Sequence, residues 1–208
     1  MKVRQIVRKR PSIQAAHQYR KSGLYYIDPQ EHFLSGDKRE AELKTISDSL
    51  LAIVKNQFPR TQNLEFAILK AHLIIEYAIV QYIRGYAAVI MDHDKLDYKF
   101  SQKLEIAYLL GFGAQDPILL PTVELINNLR NKIAHKFDFN KSILDEMLFI
   151  NGCEKSELVK IDDRGRIKYL RRICSFVCAR VAVEMQGAYE IAVLIEDEFK
   201  AAKPKRTI

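Results

Sequence analysis

The chain has 208 residues, of which 48% are hydrophobic, 28% charged and 10% aromatic, with 8 Gly, 6 Pro and 3 Cys. That length suits one domain with a real core. The apolar fraction excludes a disordered chain, and the scarcity of Gly and Pro excludes a collagen-like or linker-like one. An odd number of cysteines makes no disulfide framework, and Cys174 and Cys178, four residues apart, read as reduced core thiols of a cytoplasmic protein.

The formal net charge of +7 is unevenly spread. Residues 1–21 hold seven Lys/Arg and no acid and residues 200–208 four more, leaving 22 basic against 26 acidic residues in positions 22–199. A basic arm such as Arg8, Lys9 and Arg10 can neutralise phosphates in a salt-dependent, sequence-blind way, or can be a merely solvated terminus. The charged N-terminus is not followed by an apolar run, so no signal peptide is expected. The most apolar stretch, Leu64 to Met91, contains Glu65, Lys70, His72, Glu76 and Arg84, which suits a buried helix and not a membrane span.

In chain order, residues 1–36 form an irregular arm carrying Pro11, Gly23, Pro29 and Gly36. Leu43, Ile46, Leu50 and Val54 give the spacing of an amphipathic helix from Asp37 to about Phe58, ended by Pro59. A helix apolar nearly all round, from about Asn63 to Met91, is the central one. A shorter helix from Lys99 to Leu110 stops at Gly111 and Gly113; the next begins near Pro117 and runs to about Lys136. A further piece spans Lys141 to Ile150, followed by an irregular segment containing Gly152 and Asp162 to Gly165; no strands stand out beyond room for a short hairpin near 158–168. The final helix, Arg166 to Lys200, has Leu170, Ile173, Val177, Val181, Ala188, Ile191 and Ile195 on its apolar side. The expected class is all-α: an antiparallel bundle over 37–199 with a long C-terminal helix, flanked by the basic arm and a basic tail at 200–208.

The informative stretch lies at about 118–136. Thr122, Ile126, Leu129 and Ile133 make a buried stripe, and Glu124, Asn128, Asn131 and His135 line up opposite, within about 60° of one another. Arg130 borders the two. A solvated face is usually rich in Lys and Glu, whereas this one carries two Asn, mediocre helix formers. An Arg followed five residues later by a His is a chance-level pair among 14 Arg and 5 His. The surroundings are more specific.

Leu129, Arg130, Asn131, Lys132, Ile133, Ala134 and His135 fit the R-x4-H pattern, with a polar residue after the Arg, of the HEPN superfamily (higher-eukaryote and prokaryote nucleotide-binding domains). Upstream, Lys70, His72 and Glu76 in an apolar helix, and then Phe100 to Gly111, follow the order of elements of that superfamily, so residues 64–138 carry the resemblance. The same block also resembles the mannitol operon repressor family, members of which often lack the intact Arg/His pair. Some HEPN toxins continue the pattern to a Tyr two residues after the His; Phe137 stands there, which argues against the closest toxin subfamily.

The HEPN resemblance implies metal-independent RNA cleavage at a site built from two motifs across a homodimer, with no cofactor or metal and with RNA and an antitoxin as partners. His135 would act as base or acid. Arg130 would hold the scissile phosphate and Asn131 would orient it. Glu76, His72 and Asn128 are supporting residues; Lys132, Lys136, Arg8, Lys9 and Arg10 would hold RNA. In an architectural alternative Arg130 pairs with a core carboxylate, Glu76 being the obvious one, and His135 caps its helix. The resemblance to the mannitol repressor family implies instead a non-catalytic regulator or scaffold, and a third reading is a nucleotide-binding or enzyme-serving HEPN domain. Cys153, His17, His32 and His93 show no ligand or nucleophile pattern, and there is no phosphate loop or zinc-protease motif.

Overall fold

The computed structural model describes residues 36–86, 98–135 and 141–201, except for the side chains of 36–38, 188 and 191–201. Among these residues there are seven helices and no strand: α1 (Gly36–Gln57), α2 (Leu64–Tyr86), α3 (Phe100–Leu109), α4 (Leu119–His135), α5 (Lys141–Ile150), α6 (Lys155–Leu158) and α7 (Asp163–Ala201). The all-α class is the one expected. The basic arm up to residue 35, the tail from 202, the C-terminal part of the predicted Asn63–Met91 helix, and Lys136 and Phe137 lie outside the described residues. Arg8, Lys9 and Arg10 lie there too.

Local chemistry sets the helix ends. Asn63 caps α2, its Oδ1 accepting from the Phe66 N–H at 2.8 Å. Asp162 caps α7 in the same way, accepting from the Gly165 N–H at 2.8 Å. That cap explains why α7 begins at Asp163 and not at Arg166, and no hairpin forms near 158–168: residues 159–162 make a short turn between α6 and α7. Arg166 then locks the junction, pairing with both oxygens of Asp145 at 2.8 and 3.0 Å and donating to the Ile161 carbonyl at 2.7 Å.

α2 is the centre of the bundle and packs on α1, α3, α4 and α7. Twelve of its 23 residues are buried, among them Ile68, Ile75, Ile79 and Tyr82. It is the one described helix long and apolar enough to cross a membrane, and 56% of its most apolar stretch is buried within the bundle. α1 runs against α2, since Tyr77 donates to Ser49 while Arg39 donates to the carbonyl of Gly85. α7 runs along α2 in the same direction, with Cys174 beside Ala71 and Met185 beside Gly85. The predicted apolar side of α7 is buried at Leu170, Ile173, Val177 and Val181, and Cys174, Cys178 and Met185 extend it.

Gly85 is where α2 and α7 come closest. A Cβ there would meet Met185 Sδ at 2.3 Å and Cγ at 3.0 Å. Gly85→Ala is expected to destabilise the protein by about 1–3 kcal/mol through overpacking. Urea unfolding checks this; an unchanged midpoint would show that Met185 moves aside freely.

Candidate functional site

α4 carries the candidate site, and its rotation is set from below. Leu119, Thr122, Val123, Ile126 and Leu129 are buried, and Ile133 is half-buried. Pro121 sits in the first turn, where its missing N–H has no helical partner in any case. The buried Thr122 hydroxyl donates to the Ile118 carbonyl at 2.6 Å and accepts from Asn151 Nδ2 at 2.9 Å, which ties the end of α5 to α4. With the apolar stripe inward, Glu124, Asn128, Arg130, Asn131 and His135 are all exposed and Lys132 is half-buried, in agreement with the predicted faces.

Arg130 and His135 leave the helix about 140° apart, so their side chains start in diverging directions. The long Arg130 side chain narrows that gap. Its Nη1 donates to Asn131 Oδ1 at 3.1 Å, which brings the guanidinium toward the face shared by Asn131 and His135. No carboxylate among the described residues pairs with Arg130.

The expected architectural pairing with Glu76 is therefore not there. Glu76 is taken by Lys103 of α3, whose Nζ lies 2.6 Å from Oε1. The other carboxylate oxygen, Oε2, stands 3.9 Å from His72 Nδ1. His72 is almost fully buried, its ring 4.6 Å from that of Phe100, and its Nε2 has no partner of hydrogen-bonding geometry. Burial holds the imidazole below its ordinary pKa; Glu76 opposes this, Arg130 reinforces it, and the Asn127 amide beside the ring favours protonation. A seam of polar groups thus runs from Lys103 through Glu76 and His72 to Asn127, beneath Arg130. His72 and Glu76 both belong to it. Lys103 and Asn127 were not legible in advance, since nothing in their local pattern shows that they meet residues 27 and 55 positions away.

A second polar cluster escapes the sequence as well. Arg180 Nε lies 3.3 Å from Asp116 Oδ2, and its Nη2 lies 3.5 Å from the carboxylate of the buried Glu184. Burial raises the pKa of Glu184 against the pull of Arg180 and the Gly113 backbone. Cys153, Cys174 and Cys178 are free and buried; burial pushes the Cys178 thiol up to about 12, so these are inert core thiols. Tyr77, Tyr82 and Tyr86 all serve packing, donating to Ser49, Leu110 and Glu184 respectively. Among the described residues, no group of three His, Cys, Asp or Glu is placed to hold a metal ion.

The chain matches no family model, no curated protein and no solved structure.

The depressed pKa of His72 has a pH signature. The unfolded chain takes up a proton near the ordinary value of 6.5 and the folded protein only below it. Wherever the unfolded state binds more protons, stability rises with pH. The contribution of His72 is therefore complete above 6.5 and declines as pH falls through 6.5 toward the lower folded value. Urea midpoints measured between neutral and mildly acidic pH should fall in the wild type and fall less in His72→Gln. An equal fall in both would show that the imidazole titrates as it does in the unfolded chain.

Proposed function

We propose that the protein is a metal-independent endoribonuclease of the HEPN type, working as a homodimer in a toxin–antitoxin or defence setting in the cytoplasm. The observation that carries this reading is the state of Arg130: exposed, unpaired with any carboxylate among the described residues, and drawn by Asn131 toward the face that holds His135. An architectural arginine would hold a core carboxylate, and the one expected for that role is taken by Lys103.

The chemistry follows from the residue types. One subunit's His135 takes the proton of the 2′-hydroxyl, and the oxygen attacks the adjacent phosphorus. The P–O5′ bond breaks, leaving a 2′,3′-cyclic phosphate, and the second subunit's imidazolium supplies the proton to the departing 5′-oxygen. Arg130 holds the nonbridging oxygens and meets the charge that grows on them, through a guanidinium that stays protonated and binds in a fork. Asn131 fixes the guanidinium. Lys132, half-buried on the same helix, adds positive potential; Asn128 extends the polar face by one turn.

Arg130 and His135 are both exposed, so their replacement is expected to leave the fold intact. RNA cleavage in EDTA should fall by about 100-fold or more in Arg130→Ala and in His135→Ala, with unchanged circular dichroism. An inert wild type, or variants as active as it, overturns the nuclease reading. The non-catalytic regulator would then take its place.

A further inference from the structure

Between α3 and α4 lies a groove of about 450 Å³. Its lining includes Leu104, Glu105 and Tyr108 on α3 and Leu120, Glu124 and Asn127 on α4. The Tyr108 side chain is 60% exposed. Glu105 and Glu124 form no ion pair or side-chain hydrogen bond among the described residues, although cations are abundant elsewhere on the surface. Asn127 belongs at once to this groove and to the polar seam, next to the buried His72 ring with its unmet Nε2. Glu124 and Asn131 lie on one face, seven residues and so about 10 Å apart along the axis. One nucleotide spans that distance from base edge to phosphate.

We propose that this groove is a guanine subsite, holding the base of the nucleotide whose phosphate sits on Arg130. The proposal rests on the nuclease reading and adds a base preference to it. Each lining group has a part that guanine fills. Tyr108 offers a π-face for stacking, the usual way a protein holds an unpaired RNA base, and the leucines offer an apolar wall. A carboxylate is a pure acceptor with two oxygens. Guanine alone among the four bases presents two neighbouring donors, N1–H and the N2 amino group, which match those two oxygens in a bidentate pair. Adenine and cytosine set a ring-nitrogen acceptor beside their amino group and so turn a lone pair toward the carboxylate; uracil flanks its single N–H with two carbonyls. The Asn127 amide can donate to guanine O6 or N7.

Two carboxylates also repel phosphate, and this sharpens the placement. The base edge is held on the acidic part of the α4 face and the phosphate one or two turns on, at Arg130. A basic peptide would suit the carboxylates and the tyrosine face too, but it would end against the Arg130 guanidinium, where a phosphate is attracted.

The test is titration of the full-length protein with GMP, AMP and UMP, followed by NMR at the backbone amides of 104–108 and 122–127. GMP is expected to bind at least about tenfold more tightly than AMP or UMP. Glu124→Gln or Glu105→Gln should remove that selectivity and Tyr108→Ala should weaken all three nucleotides, with circular dichroism unchanged. In parallel, cleavage of a mixed-sequence RNA should fall at guanines, and the Glu-to-Gln variant should cut with the preference relaxed. GMP bound no better than AMP, or selectivity that survives both Glu-to-Gln changes, overturns the subsite. The nuclease reading is judged separately: cleavage without base preference leaves that reading intact and removes this one, whereas selective GMP binding by a protein inert on RNA keeps the groove and removes the nuclease.

Discussion

The arrangement depends on how one apolar helix finds partners for two polar side chains, the buried His72 and the half-buried Glu76. α2 is surrounded on four sides, yet it carries His72 and Glu76 one turn apart on its α3 and α4 sides. A carboxylate drawn partly out of water among apolar neighbours is stabilised by a cation brought to it. Lys103 is that cation, and in pairing it sets the axial position of α3 along α2, with Phe100 over the imidazole one turn earlier. The same choice decides the state of Arg130. Once Glu76 has its partner on α3, the α4 arginine has no core anion to hold and its guanidinium is left at the surface.

The second fixed point is the turn between α3 and α4. Gly111 and Gly113 have φ of +96° and +77°, values side-chain-bearing residues rarely adopt. They let the chain reverse while Phe112 drops into the core, edge-on to Tyr82 at 5.2 Å, and the Tyr82 hydroxyl holds the Leu110 carbonyl. Asp116 then meets Arg180 of α7 and also accepts from the Ile118 N–H at 3.2 Å, so the start of α4 is bound to the last helix. The turn thus hangs from α2 on one side and α7 on the other.

Much of the fold is legible in the residues because the signals are local. Pro59 and Asn63 bracket the first break, Gly111 and Gly113 the second, and the i, i+3, i+4 apolar spacing marks which side of each helix turns inward. The exposed face of α4 follows from the same arithmetic. Where local signals mislead, the reason is specific. Asp162, Asp163 and Gly165 have the composition of a turn, but Asp162 spends its carboxylate on a helix cap, so the chain is already helical at Asp163 to Gly165, where an irregular segment is expected. The seam under Arg130 is legible only in half. His72 and Glu76 stand out as polar residues in an apolar run, whereas Lys103 and Asn127 sit among ordinary surface residues and gain their roles from tertiary packing.

The geometry of α4 also bears on why a site of this kind would need two chains. Within one helix, Arg130 and His135 point about 140° apart, and the link through Asn131 moves the guanidinium but not the imidazole. A single copy can therefore grip a phosphate at Arg130 or present an imidazole to a hydroxyl, but the divergence works against both converging on one phosphorus. Proton removal and proton delivery on opposite sides of that phosphorus also require two imidazoles, and the motif supplies one. Two α4 helices brought together by a twofold axis would answer both needs, since each His135 could then face the other chain's Arg130. The two Asn of the exposed polar face suit such an approach: amides can be desolvated against one another at less cost than a carpet of Lys and Glu.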